Sequence, residues 1–148
     1  MSDLTAPMGP VAIPRDDATG QGAGAVAGAP HLILRLEGAA VLIAAVAAYA
    51  VAGQGWAMFA ALFLAPDLSM LGYLRGPRLG AALYNAGHSH LIPAALGALG
   101  LTLAQPVLVA IALIWVAHIG FDRMLGFGLK YPDAFGHTHL ASKRTPPN

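Results

Sequence analysis

The sequence predicts an all-α fold, a four-helix transmembrane bundle with both termini cytoplasmic. The chain is 57% hydrophobic and only 10% charged over 148 residues, whereas soluble globular chains carry roughly 25% charged residues. Four apolar runs are separated by short loops containing Gly or Pro, and each run is close to the ~20 residues that cross a hydrocarbon core. The cations are one-sided. All eight Lys and Arg (Arg15, Arg35, Arg75, Arg78, Arg123, Lys130, Lys143 and Arg144) fall on the side of the termini, and the opposite loops at 53–55 and 104–105 carry none. The positive-inside rule makes the cation-bearing side cytoplasmic.

Residues 1–30 contain Pro7, Pro10, Pro14 and Pro30 and a Gly/Ala-rich stretch from Gly20 to Ala29. They lack a helical hydrophobic period and are expected to be disordered. Met1-Ser2-Asp3 does not supply the basic start of a signal peptide, so the first span is expected to be the anchor itself. That span runs from about Leu32 to Ala52. Arg35 near its start can snorkel to the headgroups, and Glu37 either sits solvated at the helix start or points inward.

The second span, Trp56 to Leu74, opens with an interfacial Trp. Pro66 interrupts its hydrogen-bond ladder. Asp67 then either caps a new helical segment or marks a site, because irregular backbone at membrane depth is tolerated where it lines a cavity. After the turn Arg75-Gly76-Pro77-Arg78 the third span runs from Leu79 to Leu103. Asn85, His88, Ser89 and Ile92 share a helix face, while His90 points elsewhere unless Pro93 distorts the helix. Pro106 starts the fourth span in a first-turn position. His118 and Asp122, at i and i+4, share a face there, and the carboxylate is expected to orient the imidazole. The domain organisation is thus a disordered segment 1–30, a membrane domain 31–130 and a cytoplasmic tail 131–148. The first part of the tail, with Asp133 and the His137-Thr138-His139 pair, is either solvated, the commoner case for such a segment, or folded back on the bundle mouth, which Asp133 and the retained apolar residues favour.

Ionisable residues inside a span are costly and usually functional. Asp67, His88 and His118 each lie nine or ten residues from the cytoplasmic end of their span, roughly 14 Å deep at the α-helical rise. Asp67, His88, His118 and Asp122 are therefore the candidate catalytic set, with Asp67, His88 and His118 as ligands of a divalent metal such as zinc. Asn85, Ser89, His90, His137 and His139 are supporting candidates. The chain has no cysteine, so a metal must be held by His or oxygen ligands. Its net charge of +1 and lack of a basic stripe argue against nucleic acid; the lipid bilayer is the expected partner. A metal-activated water acting on a membrane-proximal substrate is one reading. The alternatives are a scaffold held by polar interhelical contacts and a small proton or ligand carrier. A carrier of four spans requires a homo-oligomer, with Gly80, Gly87 and Gly97 as close-contact positions.

Three segments carry a resemblance: Pro66-Asp67-Leu68-Ser69-Met70-Leu71-Gly72-Tyr73, Tyr84-Asn85-Ala86-Gly87-His88-Ser89-His90, and His118-Ile119-Gly120-Phe121-Asp122-Arg123 continuing to Tyr131. Together they resemble a bacterial membrane family catalogued as domain of unknown function 4260, over about residues 31–141. The resemblance implies a helical membrane fold, a bacterial cytoplasmic (inner) membrane location and the same choice of residues. Asp67 with Gly87-His88-Ser89-His90 is also similar to the pattern of membrane-bound metal-dependent hydrolases, which pair an early Asp motif with a later His-x-x-Thr-His element. Here H-x-H replaces that longer interval.

Overall fold

The computed structural model describes residues 25–141. The expected disorder before residue 25 and the polar ending from Ser142 lie outside the described residues. The fold is all-helical: α1 (Gly28–Val51), α2 (Trp56–Leu62), a 3-10 helix (Ala65–Arg75), α3 (Pro77–Gly87), α4 (Leu91–Thr102) and α5 (Pro106–Leu125). Three helical stretches, Gly28–Val51, Trp56–Arg75 and Pro106–Leu125, are long and apolar enough to cross a membrane. Leu68, Leu71, Leu74, Leu91, Leu101 and Ile43 all point outward, a distribution suited to lipid rather than water.

α1 begins at Gly28, so Gly28, Ala29 and Pro30 are helical. Pro30 lies in the first turn, where its missing N–H breaks no helical bond.

The second pass changes helix type at Pro66. From there its sequence repeats every three residues, the period of a 3-10 helix, in which side chains at i and i+3 eclipse. Leu68, Leu71 and Leu74 stand on the exposed face. Pro66 and Gly72, buried, share another with Ser69. Asp67, Met70 and Tyr73 occupy the third. At about 2.0 Å of rise per residue, this stretch covers more depth than the same number of α-helical residues, so a pass of 20 residues gains reach.

The third pass is two helices rather than the continuous one expected. α3 ends at Gly87 and α4 restarts at Leu91, with His88, Ser89 and His90 between them. Pro93 is the cause: in a continuous helix its ring would clash with the carbonyl of Ser89, which lies inside the break. By restarting the helix at Leu91, the chain places Pro93 in a first turn, where it is tolerated.

Contacts along α5 fix the arrangement. α1 runs antiparallel to it. The Arg35 Nε–H donates to Met124 O at 2.8 Å, Gly120 meets Leu42, and Tyr49 packs with Ala110 and Ile114 at the far end. The broken third pass is also antiparallel to α5, with Tyr84 beside Asp122, His88 beside His118 and Gly97 against Ala112. The second pass is parallel to α5, Phe63 stacking edge-on to both His118 and Phe121. All five described Lys and Arg residues consequently cluster at one end of the bundle. Gly80, Gly87 and Gly97, expected to serve contacts between copies, are spent inside the chain: a Cβ there would meet Tyr73, Ser69 and Ala112 respectively.

Candidate metal centre

Asp67 enters from the third face of the 3-10 helix, His88 from the end of α3, and His118 and Asp122 from successive turns of α5. His88 is held twice by one carbonyl. Its backbone N–H donates to Tyr84 O at 2.8 Å, and its ring Nδ1 lies 2.9 Å from the same oxygen. A carbonyl only accepts, so Nδ1 carries the hydrogen and a neutral His88 presents a lone pair at Nε2. The ring also stacks on Tyr84, 3.7 Å between centroids and 13° from parallel. The break itself is closed by α5: Trp115 Nε1–H donates to Gly87 O at 2.6 Å, and Arg123 donates to His88 O at 3.2 Å. Carbonyls freed by an interrupted helix need such partners where water is scarce.

Four ligand atoms converge on one point. The two imidazole Nε2 atoms are 3.2 Å apart. Asp67 Oδ1 lies 3.3 Å from His88 Nε2 and 3.6 Å from His118 Nε2. Asp122 Oδ2 lies 3.5 and 3.9 Å from the same atoms. All four fall within 4.8 Å of one another. A tetrahedral ion with bonds of about 2.0–2.1 Å separates its ligand atoms by roughly 3.3–3.4 Å. The measured spacings bracket that value, so the cluster is compatible with a metal site. The donor set of two imidazoles and two carboxylates suits zinc or a neighbouring transition metal better than magnesium or calcium, which favour all-oxygen shells.

The members are unequally shielded. Both His side chains are 2% exposed, Asp122 13% and Asp67 35%, so approach to the cluster is on the Asp67 side. Asp122 stands beside the Nε2 atoms of both rings instead of behind the His118 ring, where it was expected to act as orienting partner. Tyr84 O–H donates to Asp122 Oδ2 at 3.2 Å. His118 Nδ1 is buried with no hydrogen-bond partner among the described residues, and its ring packs edge-on to Phe63.

The remaining candidates are placed elsewhere. Asn85 clasps the backbone of Lys130, accepting from its N–H at 2.7 Å and donating to its C=O at 2.9 Å. Ser89 Oγ–H donates to Ala86 O. His137 Nδ1 meets Asp133 Oδ2 at 2.7 Å, and this hydrogen bond holds the exposed Asp133 carboxyl below the usual carboxylate range. His139 Nδ1 accepts from Leu129 N–H at 2.8 Å; burial, then the nearby Arg123 cation, push this imidazole below its ordinary value. The two tail His residues thus serve different contacts, and neither reaches the four-residue cluster.

Three further groups shape the centre. Tyr84 was not among the sequence candidates for the centre, although its i, i+4 spacing to His88 is the available signal. Lys130 stands over Tyr84, Tyr73 and Phe135, 4.6, 5.5 and 3.4 Å from the ring centroids, and its ammonium donates to Phe135 O at 3.0 Å. Burial pushes Lys130 below its ordinary value, against the attraction of Asp122 and Asp67. Arg123 follows Asp122 directly in sequence, and its guanidinium donates to His88 O within the α3–α4 break and to Phe127 O after α5.

Fold and site together define a class: an all-helical protein with membrane-length apolar helices enclosing an Asp/His cluster of metal-binding geometry. Residues 31–142 match the family described as Domain of unknown function (DUF4260), and the chain belongs to that family. No curated protein and no solved structure matches the chain.

Proposed function

We propose that Asp67, His88, His118 and Asp122 hold a divalent transition metal, zinc in the first instance, and that the centre serves hydrolysis of a membrane-proximal substrate. The observation that carries this reading is the near-tetrahedral spacing of four donor atoms from three separate passes. The metal's contribution would be to lower the pKa of a bound water toward about 7. The chain's own residues do the rest: the Nδ1–H of His88 fixes its ring, Tyr84 steadies Asp122, and Asp67, the most exposed donor, is the one able to yield a coordination position.

A closed set of four ligands is also how structural zinc is held, so a scaffold clamped by the ion is the second reading. Metal quantification on purified protein tests both. A stoichiometric ion in the native chain, lost in His88→Ala, supports the centre; metal-free protein after metal-replete expression overturns it. Cobalt absorption of the parent chain that does not respond to added small anions favours the closed scaffold, and absorption that they shift favours an open catalytic position.

The reading includes four passes in a bacterial inner membrane with both termini cytoplasmic. Clustering of Arg35, Arg75, Arg78, Arg123 and Lys130 at one end supports that orientation. A Cys placed at Gly55 should label from outside and one at Ala134 from inside; the reverse pattern overturns it.

A further inference from the structure

The α3–α4 break sends neighbouring histidines to opposite sides: His88 joins the metal-type cluster, and His90 lines a separate cavity of about 180 Å³. Glu37 of α1, Arg123 of α5 and His139 of the tail share its wall with apolar Leu34 and Val41. Its position follows from small residues. Gly38 and Gly120 let α1 and α5 approach until a Cβ at either would lie under 3 Å from the other helix's backbone, and the wall opens beside that contact. His139 is fixed there by its Nδ1 bond from Leu129 N–H and by its carbonyl, which accepts from Val26 N–H at 2.8 Å. With Nδ1 accepting, the ring hydrogen is on Nε2, so His139 offers a donor.

The charges in this cavity are not paired with each other. Arg123 has five N–H donors and gives one to Phe127 O and one to His88 O. Among the described residues neither Arg123 nor Glu37 belongs to an ion pair. Glu37 is exposed at the cavity rim and Arg123 half-buried in its wall, so one ligand bearing the two opposite charges can reach both. Depth narrows its source. Arg123 lies two residues from the end of α5, roughly 3 Å of rise, which is the level of lipid headgroups. The volume is about six times the share of one water, enough for a phosphate group with a short amine arm.

We propose that this cavity binds a zwitterionic amine-phosphate headgroup, with the phosphate on Arg123 and the His139 Nε2–H and the ammonium on Glu37. Arg123 also bonds the His88 carbonyl beside the Asp/His cluster, whereas Glu37 belongs to this cavity alone.

The test uses the full chain in detergent and native mass spectrometry with three probes: phosphatidylethanolamine, phosphatidylglycerol and water-soluble phosphoethanolamine. Phosphatidylethanolamine should bind in preference to phosphatidylglycerol by about fivefold, the effect of a partly exposed ion pair, and Glu37→Gln should abolish the preference. Glu37 makes no hydrogen bond of its own among the described residues, so this variant should fold as the parent does, checked by its unfolding temperature. Arg123→Gln should weaken both lipids. Competition by phosphoethanolamine at concentrations near that of the lipid supports the same chemistry from a soluble source; competition only at large excess supports the lipid. Equal binding of the two lipids by the parent chain, or a preference that survives Glu37→Gln, overturns the proposal.

Discussion

Truncating one imidazole should uncouple metal binding from folding in a measurable order. Four-ligand zinc sites in small domains have apparent binding energies of about 10–16 kcal/mol. Shared equally, that is roughly 2.5–4 kcal/mol per ligand, so His118→Ala should weaken the metal by about 10²–10³-fold at 1.4 kcal/mol per decade. His88→Ala should cost as much, and it also loses the Nδ1–H bond to Tyr84 O. Tyr84→Phe removes only the O–H donated to Asp122; outer hydrogen bonds of this kind contribute about 10–100-fold. Competition with a chromophoric chelator, run beside circular-dichroism melting in the same detergent, separates affinity from misfolding. The ordering parent, then Tyr84→Phe, then the His variants is the expected result. Equal affinity across the series, with all variants folded, would refute the shared-ligand geometry.

Other outcomes follow from packing and titration. In Gly120→Ala the new methyl would sit 2.7 Å from Leu42 N and 2.9 Å from Gly38 O, both backbone atoms that cannot turn away; a loss of about 1–3 kcal/mol is expected, read as a lowered unfolding temperature, and an unchanged one would deny the α1–α5 contact. For the tail, the folded His139 pKa lies below the unfolded value near 6.5. The unfolded form therefore binds more protons in that window, and the stabilisation is present above pH ~6.5 and fades as pH falls below it. Protonation also ends acceptance by Nδ1, so the Leu129 amide should exchange faster with solvent deuterium at pH 5 than the intrinsic pH effect allows; equal protection at pH 5 and 7.5 would contradict this. Lys130→Met should free the tail from Phe135 O and from the rings around the ammonium, increasing proteolytic cleavage within 131–141, and an unchanged digestion pattern would count against that anchoring.

Much of this was legible because membrane burial makes polar residues conspicuous. Asp67, His88 and His118 stand out in apolar runs, and helical rise alone gives their common depth. Pro66 likewise announced an irregular second pass. The 3-10 form is less legible, although the period of three in Leu68, Leu71 and Leu74 encodes it, because over so short a run that period differs little from the 3.6 of an α-helix. The third pass was misjudged for a local reason: Pro93 was read as a kink in one helix, whereas restarting the chain at Leu91 removes the clash altogether. The position of Asp122 escaped because i, i+4 spacing specifies a shared face with His118 but not which ring nitrogen the carboxylate meets. The roles of Tyr84, Arg123 and Lys130 depend on contacts across 38, 35 and 45 residues, and no local pattern carries such information.

The central place of α5 has a consequence for biogenesis. It is the last of the described helices to be synthesised, yet it is the one that α1 and α4 pack against and the source of half the Asp/His cluster. Until it emerges from the ribosome, α1 has no extensive neighbour, and Asp67 and His88 lack the His118 and Asp122 atoms that later surround them. The half-made chain must therefore hold an acid and an imidazole at the translocon or in lipid without their final partners. A stalled nascent chain ending near Ala104 should remain bound to insertion machinery, whereas one extended past residue 141 should be released.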